Sequence, residues 1–129
     1  TGQMKLIDPR GVFAPGEGSW LPAHYDLAKL SHSLLGLYDL IVNDLVDVCL
    51  GPDGRWRLRH RFPPGDMALL AEAFHTFLAG QGRDTGQVRL IRLCEAALFL
   101  SMLPLHADDE KRMIAQTLQA MACLEAVGV

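Results

Sequence analysis

Ile7-Asp8-Pro9-Arg10-Gly11 places an acid where a short apolar run, Met4 to Ile7, gives way to a turn. A carboxylate at the end of a buried strand, facing a glycine-rich stretch, suits Mg²⁺. This hard cation takes carboxylate oxygen and leaves its other positions to phosphates and water. Asp-Pro is also an ordinary turn starter, so the residues alone leave both readings open. A second constellation is Arg55, Arg57, Arg59 and Arg61. Strand alternation sets all four on one face, where guanidinium forks could grip a phosphate or an anionic sugar. The bland reading is a solvated hairpin face whose charge discourages edge-to-edge pairing. Lys29, His32 and Ser33 fall within one helical turn, and they either line a substrate cleft or leave His32 as a satisfied core residue. His106, Asp108, Asp109 and Glu110 could gather a metal, but acids at a helix N-terminus are explained by capping alone. GxxxxGK[ST], GxGxxG, GxSxG and HExxH are all missing from the sequence, which removes the commonest self-contained enzyme signatures.

The elements that must position these groups follow from periodicity and breakers. Met4 to Ile7 predicts a short strand. Residues 11 to 24 carry Gly11, Pro15, Gly16, Gly18 and Pro22 and predict a loop of about a dozen residues, a length that is often functional in compact domains. From Tyr25 the period becomes helical, with Leu27, Leu30, Leu34, Leu37, Tyr38 and Ile41 on one face and Asp26 in the first turn. Val46, Val48 and Leu50, then the turn Gly51-Pro52-Asp53-Gly54, then Trp56, Leu58, His60 and Phe62 predict a β-hairpin over 46–62.

Three helices are expected beyond the hairpin. The first is capped by Asp66, with a stripe of Leu69, Leu70, Ala73, Phe74, Phe77 and Leu78. The second runs from a Thr85 cap to Leu103 and is apolar all round after Leu93, as a central core helix would be. The third runs from an Asp108 cap to a stop at Gly128, with Met113, Ile114, Leu118, Met121 and Leu124 facing inward. Met102, Met113 and Met121 read as core filler. The fold class is therefore α+β, mainly α, in a single domain over 1–129.

Composition bounds the function. The 129 residues are 50% apolar and 21% charged, which excludes disorder and allows a sizeable core. Twelve basic against fifteen acidic residues give a net charge of −3, and this argues against a nucleic-acid partner. Trp56 and Phe62 do not change that, because period two turns their rings away from the arginine face. The three cysteines, Cys49, Cys94 and Cys123, share no CxxC spacing and read as free thiols of a reducing, cytoplasmic setting. Lys5, Asp8 and Arg10 interrupt any leader-like apolar run. The greasiest stretch, Ala96 to Leu105, is about half the ~20 residues of a membrane span. A chain that opens in mid-strand reads as a piece of something longer, or as a product whose initiator Met was removed before Thr1.

Two segments together carry a resemblance. Leu6-Ile7-Asp8, followed by Tyr25-Asp26-Leu27-Ala28, resembles the C-terminal lobe of the aminoglycoside phosphotransferase and choline kinase group, relatives of protein kinases. The fuller run through Lys29-Leu30-Ser31-His32-Ser33-Leu34 looks like a bacterial branch associated with sugar and capsule gene clusters. Leu103-Pro104-Leu105-His106-Ala107-Asp108-Asp109 is similar, less specifically, to that family's late helical region. The resemblance implies that Asp8 chelates Mg²⁺ bridging the phosphates of ATP and that Asp26 anchors the backbone of the catalytic loop. The remaining helices would form the acceptor side, with Arg10, Lys29 and His32 as candidate substrate-side residues. The family has Gly-Asp-Pro ahead of Tyr-Asp, where this chain has Leu21-Pro22-Ala23-His24. Its general base and nucleotide-binding N-lobe lie upstream of the Ile-Asp strand. The implied function is the C-terminal part of an ATP-dependent kinase with a small-molecule, sugar-type hydroxyl acceptor, inactive without that lobe. The alternative is a non-catalytic helical interaction module derived from such a lobe, able to self-associate through an exposed apolar face.

Overall fold

In the computed structural model the described residues are 22–129. The expected strand at Met4 to Ile7, and with it Asp8 and Arg10, lies outside them. The described chain runs α1 (Ala23–Leu34), α2 (Tyr38–Val42), β1 (Val46–Leu50), β2 (Trp56–His60), α3 (Pro64–Gly80), α4 (Thr85–Met102), a 3₁₀ turn over Leu103–His106, and α5 (Glu110–Glu125). It is mainly helical with one antiparallel hairpin, in line with the expected fold class. No helix among the described residues is long and apolar enough to cross a membrane.

The continuous helix expected from Tyr25 to Ile41 is in fact two. Leu35 and Gly36 both donate their amides to the carbonyl of Ser31, and Leu37 then takes a left-handed φ of 59°. Periodicity misses this break because the apolar spacing continues across it. Gly36 is required there by space. A Cβ at this position would lie 2.6 Å from Cζ of Phe99 and 2.7 Å from the His32 carbonyl oxygen. The carbonyl belongs to the helix backbone and cannot step aside. Gly36→Ala is therefore expected to cost about 1–3 kcal/mol, read as a fall in the urea midpoint with an unchanged slope.

The hairpin pairs Val46 with His60, Val48 with Leu58 and Leu50 with Trp56, so alternate positions share a face as expected. It is shorter than the sequence suggests, since pairing stops at His60 and Arg61 and Phe62 lie beyond it. Only Val46 on that face is fully buried; Leu50 and Trp56 at the turn end are exposed.

The caps also shift by one residue. Asp84, not Thr85, opens α4, in a capping box where its side chain accepts from the Gln87 amide and Gln87 accepts from the Asp84 amide. Asp109, not Asp108, opens α5 by accepting from the Arg112 amide at 3.0 Å. Asp66 makes no side-chain cap, because α3 starts at Pro63-Pro64, where a missing N–H costs nothing.

Two core clusters meet on α4. Ile41, Val46, Ala96, Phe99, Ala115, Ala120 and Cys123 form one, and Ala28, Phe74, Leu78 and Ile91 the other. Several expected inward faces are rotated away from this core. Leu30 and Leu34 on α1 are exposed while Ala28, Ser31 and His32 are buried. On α5 the small residues Ala115, Ala120 and Cys123 go inward with Gln116, and Met121 is half-exposed rather than core filler. Small side chains permit close approach of α4 and α5, which displaces the larger ones to the rim. On α3 only Phe74 and Leu78 are buried, and Leu69 keeps 66% of its surface exposed.

Candidate functional site

The central helix α4 carries a carboxylate inside the domain. Glu95 is fully buried, with 0% of its surface exposed. Its Oε2 accepts from Ser31 Oγ at 2.6 Å and from Arg92 Nη1 at 2.6 Å, and the same Nη1 reaches Ser31 Oγ at 3.2 Å. Arg92 and Glu95 are three residues apart, so one helix face presents both. Ser31 comes from α1 and closes the triangle.

Burial raises the pKa of Glu95 above the ordinary carboxylate range, against the pull of Arg92 and Ser31. The Cys123 thiol is pushed up to about 12 by burial and by the nearby Glu95 charge. It is therefore a protonated, unreactive thiol. Cys49 and Cys94 are likewise free.

His32 packs against two rings, tilted to each, 4.5 Å from that of Tyr38 and 4.1 Å from that of Phe99, centroid to centroid. Its Nε2 has no hydrogen-bond partner among the described residues. Burial lowers its pKa to about 4, so it is neutral at physiological pH. This is the core placement rather than the cleft placement, although the ring nitrogen is left unsatisfied. Lys29 is exposed on the same helix, whereas His32 is buried. Asp26 lies exposed in the first turn of α1 and has no partner among the described residues.

The arginine row is exposed throughout, and Arg57 is tied to Asp53 across the turn at 2.7 Å. That ion pair and the surrounding solvent fit the charged-face reading. Of the acids near His106, Asp109 caps α5 and Glu110 stands in its first turn. Asp109 pairs with Arg112, which also binds Asp44 at 3.1 Å, and Lys111 reaches Asp47 at 3.6 Å. Among the described residues no group of three or more His, Cys, Asp or Glu could hold a metal.

A cavity of about 570 Å³ opens where α3 stands away from α4. Phe74, Leu78 and Ile91 stand in its apolar wall, and Thr85, Arg89, Arg92 and His75 supply polar groups. Arg92 thus has one side on the buried Glu95 and the other on open space. The periodicity of α4 reads as apolar beyond Leu93 and marks neither Glu95 with Arg92 and Ser31 nor this cavity. The available signal was a single acid inside an apolar helical run, with a cation three residues before it. Comparison with protein-family models, with curated proteins and with solved structures gives no match to this chain.

Proposed function

We propose that this chain is the C-terminal part of a cytoplasmic, ATP-dependent phosphotransferase acting on a hydroxyl of a small, sugar-type molecule. The reading rests on Leu6-Ile7-Asp8 followed by Tyr25-Asp26-Leu27-Ala28. The observation that carries it is the placement of the second segment. Tyr25 to Ala28 opens α1, whose Ala28 is buried in a core cluster with Ile91 of α4, while the Asp26 carboxylate stays exposed at the first turn. In this reading Asp26 accepts backbone N–H groups of a catalytic loop supplied from N-terminal to Thr1, along with the general base and the lysine-bearing lobe. Asp8 and an upstream asparagine are the metal ligands. A Mg²⁺ ion held by them would supply charge neutralisation for phosphoryl transfer. Lys29, beside Asp26, and Arg10 supply positive charge on the substrate side.

In the protein together with its catalytic loop, Asp8→Asn is expected to abolish transfer from ATP while leaving the circular dichroism spectrum and melting temperature unchanged. Full activity in that variant would overturn the assignment.

A non-catalytic helical interaction module is the second reading. It is favoured by the exposure of Leu69 and Phe77, two turns apart on α3, and of Leu30 and Leu34 on α1. Exposed apolar side chains of this size are the kind that contact sites use, including those of self-association. The two readings separate on the reading frame ahead of Thr1: a His-Gly-Asp and Asn loop there favours the enzyme, and a frame without one favours the module.

A further inference from the structure

We propose that the cavity between α3, α4 and the chain just beyond α5 binds a small amphiphilic carboxylate, a medium-chain aliphatic acid. The inference rests on the cavity alone and not on the phosphotransferase reading. Its volume, about 570 Å³, falls in the range of small-ligand pockets. The wall is mostly carbon, from Phe74, Leu78, Ile91 and their neighbours, and among the described residues no carboxylate lines it. Among the described residues its titratable groups are His75, Arg89 and Arg92, all of which carry positive charge when ionised.

The two arginines differ in a way that specifies the ligand. Arg92 is neutralised from behind by Glu95 through Nη1, and its Nε and Nη2 make no bond among the described residues. Arg89 has no ion-pair partner among the described residues and stands on the preceding turn of the same face. One net positive charge with two guanidinium edges beside an apolar wall matches one anionic head on an apolar body. The fork geometry suits a carboxylate bound by two parallel N–H···O contacts. A bare anion would leave the apolar wall wet, and an uncharged alcohol would leave Arg89 unanswered.

Titration calorimetry with octanoate, 1-octanol and inorganic phosphate tests this. Octanoate should bind one to one, octanol about tenfold more weakly because it lacks the charge-assisted contacts, and phosphate without saturation. Arg89→Met should bring octanoate down to the octanol level. Arg89 is exposed, so the fold is retained. Ala71→Trp, which places an indole in the cavity from α3, should remove binding of both, with the helical spectrum unchanged. The proposal is overturned by the absence of saturable octanoate binding, by equal affinity for acid and alcohol, by unchanged octanoate affinity in Arg89→Met, or by undiminished binding in a folded Ala71→Trp.

Discussion

Arg92→Met should destabilise the domain by about 3–5 kcal/mol at neutral pH, because it leaves a fully buried carboxylate without its cation. The loss belongs to the orphaned charge rather than to the pair, whose own net contribution is small once desolvation is counted. Arg92→Met combined with Glu95→Gln should therefore be less damaging than Arg92→Met alone. The amide keeps an acceptor for the Ser31 hydroxyl and carries no charge to strand. The deficit has a definite pH dependence. Losing Arg92 lifts the folded-state pKa of Glu95 still further above its unfolded value of about 4.3. A carboxyl raised in the folded state contributes its stability below the unfolded pKa and loses it as pH climbs through the folded one. The gap between variant and parent is thus smallest near pH 4 and widens toward pH 8. Urea denaturation of the three proteins across that range measures it. A cost below about 1 kcal/mol, the range of exposed ion pairs, would mean that the carboxylate is solvated.

The second large effect comes from His32 and has the opposite sign. Its pKa is lowered from 6.5 to about 4 by burial between Tyr38 and Phe99. A group depressed in the folded state stabilises fully above its unfolded pKa and loses that stability as pH falls through the folded value. The gap is worth about 3 kcal/mol, lost progressively from about pH 6.5 to pH 4 and below. His32→Phe keeps an aromatic ring at this position and removes the unpartnered Nε2. At pH 7 the variant should match or exceed the parent, and its acid limb over this window should disappear. Glu95 would then act alone, and acidification toward pH 5 would hold or raise stability. Parallel pH profiles for parent and His32→Phe would show that the imidazole reaches solvent.

Local features of the fold were legible in the sequence because local forces set them. Gly51-Pro52-Asp53-Gly54 between alternating runs reads as a hairpin, and the structure has one with the expected facing pairs. The 3.6-residue spacing of α3, α4 and α5 was equally plain. The errors have physical causes. Asp84-Thr85 and Asp108-Asp109 each offer adjacent capping groups, and only the formed turn selects between them. The break at Gly36 is imposed by the Phe99 ring, which arrives from another helix. Leu30 and Leu34 satisfy the helical period yet lie outside, because α4 meets α1 along Ala28, Ser31 and His32 instead. The buried triangle was the least legible feature: its Ser31 and Glu95 stand 64 residues apart, beyond any local pattern. The cavity was equally hidden, since it exists only because α3 seats two of its side chains.

That separation of 64 residues also bears on how the domain assembles. α5 follows α4 after a short turn, so their pairing closes little chain, whereas α1 must return across the hairpin and α3 to find α4. Loop-closure entropy and contact order place such a docking late. Until α1 arrives, the Glu95 carboxylate lacks the Ser31 hydroxyl. A slip of α1 by one residue rotates its side chains by about 100° and offers Glu95 a neighbour other than that hydroxyl. Such a misdocked helix would enclose a charge short of a hydrogen bond, a cost that apolar contacts elsewhere on α1 do not offset. The polar triangle therefore acts as a proofreading contact for the register of α1, rejecting near-native packings that the leucines of this helix would accept.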